Sequence, residues 1–370
     1  MYSLFVYGPA PGFARLGIVE DIRSLQWLSE YQDAGEVKLV VSATDKNLEL
    51  LTDGNRLYCT GQTESAVIRE TVVEDSGKDA KLTVRAPLSV ARWEERIVMA
   101  TERVAGVEAG MLGLTSRHRR GLPGATAPAK GLTATTDTEI TWGTVLAAEI
   151  ALATASGLGF REAFDPDTGV ETFEAYAGTD RTGGSAYNGY FGDDAQNVSS
   201  LKIARGSHGW KNRAIVGGQG EGAARKVVTV SLGAYEGDDL LELWVDAQDM
   251  SRTYQIATDT GEADANGSPI YDYTEATYTD AEYERLLAAR GLEKLAERLQ
   301  TLEVSAALGQ GLMEYGKDYF LGDIVPLKLT RYGMRVSARI AAVRTTYESS
   351  GKRVTATLSD FTIAQEALNL

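Results

Sequence analysis

The feature that most constrains this chain is a series of short strand-like runs at its N-terminal end. Within residues 1–97, Gly17-Ile18-Val19, Val37-Lys38-Leu39-Val40-Val41, Arg56-Leu57-Tyr58-Cys59, Ala66-Val67-Ile68-Arg69-Glu70-Thr71-Val72-Val73 and Leu82-Thr83-Val84-Arg85-Ala86 are rich in branched residues. Turn residues such as Asp53-Gly54-Asn55 and Asp75-Ser76-Gly77-Lys78 separate them. Many short strands at this spacing predict a small antiparallel barrel or sandwich, with one short helix near Asp45 to Leu51.

Further along, the pattern changes. Residues 98–135 are dominated by Gly, Ala, Thr and Pro and carry a basic knot, Arg117-His118-Arg119-Arg120. The plain reading is a solvated, poorly ordered connection; the functional one is contact with an acidic partner or passing DNA. Thr141 is placed to cap a helix over 142–156 that ends at Gly157. A hairpin over 160–176 follows, turning at Asp165-Pro166-Asp167-Thr168-Gly169. A polar loop spans 178–197, and strands resume at Arg213-Ala214-Ile215-Val216 and Lys226-Val227-Val228-Thr229-Val230. Residues 248–275 read as an acidic loop. Thr279 and Glu282 then form a capping box for a helix reaching about Gln300, with Tyr283, Leu286, Leu287, Leu295 and Leu299 on one stripe. Residues 302–361 return to strands and turns.

One internal echo stands out. Glu74-Asp75-Ser76-Gly77-Lys78 recurs as Glu348-Ser349-Ser350-Gly351-Lys352, each between two strands. Either a common Ser-Gly hairpin turn occurs twice, or a barrel is duplicated at the two ends of the chain. Gly77 and Gly322 are expected to be turn glycines. On the duplicated-barrel alternative the predicted fold is mainly β with α+β insertions: two similar antiparallel β-barrels plus interposed α/β and helical modules. The first barrel spans 1–97, the α/β module 98–182, the second barrel 183–247 with 302–370, and the acidic loop and helix 248–301.

Composition excludes several functions. With 52 acidic residues against 37 basic ones, the 370-residue chain carries a net charge of −15, which argues against gripping nucleic acid. Its 43% hydrophobic content suits a globular protein. The weakly polar run from Thr144 to Phe160 is broken by Glu149 and is not a membrane span. Met1-Tyr2-Ser3-Leu4-Phe5-Val6-Tyr7 lacks the basic region and apolar length of a signal peptide. The single cysteine, Cys59, has no partner for an internal disulfide and sits in a strand pattern as a small apolar residue.

The remaining chemistry is sparse. There are two histidines, His118 and His208, neither within a nucleophile motif, and no Cys/His cluster for zinc. Gly218-Gln219-Gly220-Glu221-Gly222 is followed by a strand pattern, where a dinucleotide fingerprint needs a helix, so it reads as a hairpin loop. Asp264-Ala265-Asn266-Gly267 lacks the twelfth-position Glu of a calcium loop and reads as a polar turn. Glu162, Glu171 and Glu174 could serve a glycosidase, but on a hairpin they read as the wet face of a strand. No catalytic, cofactor or metal residue is assigned, and no cofactor is expected.

Several stretches taken in order resemble the siphovirus tail proteins of the baseplate-hub group. They are Ser156-Gly157-Leu158-Gly159-Phe160 with Phe164-Asp165-Pro166, and Tyr176-x-Gly178-x-Asp180-Arg181-Thr182. Next come Lys211-Asn212-Arg213-Ala214-Ile215-Val216-x-Gly218 and Leu243-Trp244-Val245-Asp246-Ala247-Gln248-Asp249. The strongest are Tyr315-Gly316-Lys317-Asp318-Tyr319-x-Leu321-Gly322-Asp323-Ile324-Val325 and Ala338-Arg339-Ile340. The group often has Asp-Ala-Arg-Asp where this chain has Asp246-Ala247-Gln248-Asp249, and residues 98–135 fit it poorly. The group is similar to the hubs of contractile-tailed phages. The resemblance implies two related barrels with interposed α/β domains, a homotrimer between tail tube and tip, and no catalytic residue. It also implies a virion protein, assembled in the host cytoplasm. Its neighbours would be distal tail or tube proteins and tip or spike proteins, with the tape-measure protein as a further candidate. DNA would pass through its lumen without specific binding. The competing expectations are a tail-tip enzyme that degrades cell-wall polymer and a receptor-binding adhesin. Such activities are expected in domains after the hub, and the 370 residues leave no span for one beyond the second barrel.

Overall fold

In Glu36–Ser42, Val37, Leu39 and Val41 are buried and alternate with less buried residues, so one face of this strand must pack on a core. The computed structural model shows where that core lies. It describes the whole chain except residues 1, 10–11, 183–189, 196, 207–208, 265–268, 299–300, 309–312 and 364–370.

The fold is mainly β and built of several sheets. The largest has ten strands and is drawn from both ends of the chain. Its N-terminal part runs Ile22–Glu30, Glu36–Ser42, Ala80–Pro87, Glu70–Asp75, all antiparallel. Its C-terminal part holds Met334–Glu348, Gly351–Ile363, Thr301–Leu308 and Val198–Gly206, with Ile324–Leu329 and Phe191–Gly192 branching from it. The two parts join where Ile22–Glu30 pairs with Met334–Glu348, from Ser24 opposite Glu348 to Glu30 opposite Ala342. A smaller sheet of Arg15–Ile18, Leu4–Tyr7, Arg56–Cys59 and Ala66–Val67 faces the N-terminal part. Leu4, Val6, Leu25, Trp27, Leu39, Leu57, Cys59 and Val84 pack between them, and Tyr347 enters from the other end of the chain. The separate closed barrels of the sequence reading are not seen: the two ends share one sheet, and no closed sheet occurs among the described residues. The echoed hairpins also occupy different places. The one turning at Gly77 lies at the sheet edge, while the one turning at Gly351 lies in its middle.

Among the described residues four α-helices accompany the sheets: α1 (Asp45–Leu50), α2 (Val107–Arg117), α3 (Val145–Ser156) and α4 (Asp280–Ala296). α3 is capped by Thr144, whose side chain accepts the Ala147 N–H, and not by Thr141. Gly157 closes it at φ +72°, as the sequence predicts. The capping box of α4 is present in both directions. The hairpin of Gly159–Asp165 and Val170–Tyr176 matches its predicted place.

Three expectations are corrected. Residues 98–135 are not a solvated connection: they hold strand Glu102–Gly106, helix α2 and strand Ala125–Thr126. Val107, Met111 and Leu114 supply the apolar face that binds α2 to the core formed with α3 and the 159–176 hairpin. The basic knot is absorbed there too. Arg117 and His118 both bind Glu102, and His118 is buried. Residues 248–275 are not a loop, because Thr253–Ala263 and Pro269–Thr277 pair as a two-stranded ribbon. Tyr254, Ile256 and Thr258 alternate along the first strand, and Asp259, Glu262, Asp272 and Glu275 are exposed. Finally, Arg213–Gly217, Val227–Ser231 and Glu242–Asp246, grouped by sequence with the second barrel, form their own three-stranded sheet. Ala214, Val216 and Val245 of that sheet pack against Tyr283, Leu286, Leu287 and Leu295 of α4, so the helix and its sheet form one core.

Candidate functional site

Residues from four of the motif stretches, 156–160, 176–182, 315–325 and 338–340, converge on Tyr31, whereas those of 211–218 and 243–249 belong to the three-stranded sheet beside α4. Tyr31, 1% exposed, directly follows the strand that joins the two parts of the large sheet. Its hydroxyl donates to the Gly157 carbonyl at 3.1 Å, with the Tyr176 carbonyl at 3.3 Å, and accepts the Gly178 N–H at 3.0 Å. Its ring lies where Cβ atoms on Gly159 or Gly322 would stand, each 2.2 Å from it. Gly322 also has φ +90°, so both space and backbone require glycine there. Arg339 lies over the same ring and donates to the Gly322 carbonyl. Next to it, buried Asp323 accepts from the backbone N–H groups of Thr179 and Phe320 and from the Arg181 guanidinium. The junction thus ties the N-terminal strands, the 159–176 hairpin and the C-terminal strands through satisfied polar contacts.

The second cluster uses the carboxylates singled out by sequence. Glu162 and Glu171 share the buried face of their hairpin with Phe160, Phe164, Phe173 and Ala175; they are not on its wet face. Glu171 receives Arg56 (2.9 Å), Ser65 (2.7 Å) and Ser89 (2.6 Å) on Oε1. Arg92 donates to Glu162 and also lies 2.7 Å from Glu171 Oε2, outside hydrogen-bond geometry. Glu174 is half-buried and binds Arg161 and Lys130, each at 2.6 Å. Sequence reasoning missed Arg56, Arg92 and Glu64. The signal available was parity: Glu162 alternates with Phe160 and Phe164, which marks an inward face.

Electrostatics follow from this packing. Burial pushes the Glu162 carboxyl up to about 7, against the pull of Arg92. Glu64, whose Oε1 accepts the Glu162 N–H, is pushed by burial up to about 8. Burial would also raise Glu171, but Arg92, Arg56 and Ser65 hold it below the ordinary carboxylate value. Glu162 and Glu171 are both 0% exposed, so this arrangement can pair charges and has no route for substrate. Glu64 and Arg161 edge a cavity of only about 90 Å3, below the roughly 300 Å3 at which small-molecule sites begin. The other sequence candidates stay apart. Cys59 is packed in the N-terminal core, its thiol pushed by burial up to about 11. Gly218 to Gly222 lie in a hairpin loop that a strand follows. His208 and residues 265–267 of the calcium-like turn lie outside the described residues. Among the described residues, no group of His, Cys, Asp and Glu could hold a metal ion, and no helix is long and apolar enough to cross a membrane.

Comparisons with known proteins agree on what kind of molecule this is. Over 97% of the chain, the fold is similar to that of a tail protein from Neisseria meningitidis MC58, with TM-score 0.55, 12% identity and 96% of that chain covered. It is also similar to prophage tail protein gp18 from Listeria monocytogenes EGD-e, with TM-score 0.57, 14% identity and coverage of 97% and 94%. The 43 kDa tail protein of prophage MuSo2 from Shewanella oneidensis gives TM-score 0.60, 9% identity and coverage of 97% and 98%. No curated protein matches. The family described as "Siphovirus ReqiPepy6 Gp37-like protein" matches residues 5–358, so the chain belongs to this siphovirus tail protein family and is a component of the virion tail.

Proposed function

We propose that this chain is the structural hub of the tail, a homotrimer that joins tail tube to tip and forms part of the DNA channel. The pairing of Ile22–Glu30 with Met334–Glu348 carries the reading. It sets two β-rich units, one from each end of the chain, side by side. Three chains then offer six such units around one axis, so a threefold molecule can meet a sixfold tube. In this reading residues 1–97 and the C-terminal β unit alternate around the ring. The edge strand Glu70–Asp75, exposed at every position with Val72 and Val73 outward, supports contact between neighbouring chains. A net charge of −15 per chain suits a wall that repels DNA and lets it slide.

Gold-labelled antibody against this chain, imaged on intact particles by electron microscopy, tests the placement. Label at the junction of tube and tip is expected; label at the particle periphery would favour an adhesin. The enzyme reading has one feature in its favour. Glu139, pushed by burial up to about 7, lines a cleft of about 490 Å3. Zymography on cell-wall polymer is expected to show no clearing. A clearing zone that Glu139→Gln abolishes would overturn the structural reading.

A further inference from the structure

The turn after strand Arg56–Cys59 brings a buried carboxyl to the seam between the two ends of the chain. Gly61 takes φ +87° there and reverses the backbone. The Thr63 carbonyl then accepts the Phe164 N–H at 2.9 Å, and Glu64 Oε1 accepts the Glu162 N–H at 3.3 Å, which fastens the turn to the 159–176 hairpin. Glu64 is 5% exposed, and its Oε2 has no hydrogen-bond donor among the described residues. Glu64 lines the cavity of about 90 Å3 together with Thr63, Arg161, Ser29 from the joining strand and Tyr315 from the C-terminal motif. The hydroxyls of Ser29, Thr63 and Tyr315 make no hydrogen bond to the described residues either. The guanidinium in the wall is already engaged: Arg161 faces Glu174 in the hairpin register and donates its Nε to it at 2.6 Å.

Size and charge decide what such a wall can hold. The space of about 90 Å3 admits about three waters, or one ion with part of its shell. An anion would meet Glu64, with Glu162 and Glu174 acting on the same place and Arg161 already paired. A multivalent metal is not matched, because Glu64 is the one carboxylate of the wall and neither His nor Cys joins it. Water alone would satisfy the hydroxyls and leave an ionised Glu64 without a countercharge. A singly charged cation meets both needs: the hydroxyl oxygens offer lone pairs, and one carboxylate balances one charge.

We infer that this cavity binds a monovalent cation of potassium or ammonium size, held by Glu64 Oε2 and the hydroxyls of Tyr315, Ser29 and Thr63. The bound ion clamps the turn, the joining strand and the C-terminal motif to the hairpin, so it stabilises the seam at which the two ends of the chain meet. The charged groups acting on Glu64 are Arg161, Glu162 and Glu174 of the hairpin, with the Tyr315 phenol on the other side. Burial pushes Glu64 up to about 8, so near neutral pH the empty cavity keeps a proton on it and the cation displaces that proton. Occupancy therefore grows as pH rises.

Thermal unfolding of the full chain at constant ionic strength tests the inference, with potassium, ammonium and tetramethylammonium chloride as the arms. Tetramethylammonium is too large for the cavity and serves as the reference. At about pH 9 potassium or ammonium should raise the midpoint saturably, by about 2 °C or more. The lower half-maximal concentration tells which of the two is preferred. At about pH 6 the rise should shrink to less than half. Glu64→Gln should abolish it. Tyr315→Phe, which keeps the ring, should need several-fold more salt for the same rise, and it keeps the test open should Glu64→Gln fail to fold. Anomalous diffraction from crystals grown in rubidium chloride should place the ion beside Glu64 Oε2. Equal midpoints in all three salts, a potassium effect that survives both substitutions or is the same at both pH values, or water alone beside Glu64 in the rubidium data would overturn the inference.

Discussion

Two hairpins in this molecule carry acids along their strands and treat them in opposite ways. In the 159–176 hairpin, Glu162 and Glu171 are fully buried among aromatic rings and bound by arginines from distant segments. In the 253–277 ribbon, Asp259, Glu262, Asp272 and Glu275 are all exposed, and the two strands pair only with each other. The local patterns are alike. The difference lies in what the rest of the chain brings: Arg56 and Arg92 reach the first hairpin, while the ribbon, among the described residues, is tied by backbone to the segment before strand Glu102–Gly106 through the Gln255 N–H and the Thr101 carbonyl. An acid on a strand is therefore not evidence of a wet face until the opposing layer is known. In this protein the buried acids hold layers together.

The largest effect should come from removing the shared cation. Arg92→Ala leaves Glu162 and part of Glu171 buried without it, and should cost about 3–5 kcal/mol in denaturant unfolding. A loss under about 1 kcal/mol would mean that the cluster is hydrated and equivalent to the ribbon.

The pH dependence sharpens the same contrast. Burial raises Glu64 to about 8 and Glu162 to about 7, from an ordinary 4.5, so the native state keeps protons that the unfolded chain releases. Stability from these groups is therefore fully present below the ordinary value of 4.5 and falls as pH rises toward 8. Glu171 and Glu102 act the other way, because their lowered values give stability that is lost on acidification below the ordinary carboxylate range. Glu64→Gln should flatten the decline between pH 5 and 8 by up to about 1.4 kcal/mol per pH unit. An unchanged slope would show that Glu64 is not buried in solution.

Glu174 is the intermediate case, with side-chain exposure of 16% and two cationic partners. Glu174→Gln should cost about 1 kcal/mol, measured as the shift in denaturation midpoint. Asp272→Asn on the exposed ribbon should stay within about 0.5 kcal/mol. A larger loss there would show that the ribbon's charges have partners in solution.

How much of this was legible follows the same logic. α4 was readable because its cap, its stripe and its acids all agree locally, and the 159–176 hairpin because Pro166 and Gly169 specify its turn. α2 was obscured by Gly110 and Gly113 within it and by Arg117, whose charge is met by Glu102 on a separate strand. Ile22–Glu30, which joins the two ends of the chain, has no sustained alternation to mark it, because only Leu25 and Trp27 of it are buried. Its partner lies more than 300 residues away, as in the contact of Gln26 with Arg344. No local pattern encodes such a pairing. The Tyr31 junction was visible only in part: its glycines belong to the motifs, but nothing local to Tyr31 shows that they pack on its ring.

In the proposed assembly this chain forms a threefold ring presenting six β units between tube and tip. Cryo-electron microscopy of the intact tail, with density assigned to this chain, tests it most directly. Three copies are expected in one closed ring, with residues 1–97 and the C-terminal β unit alternating around the axis. Six copies in one ring, or copies attached only to the outside of the tail, would contradict it.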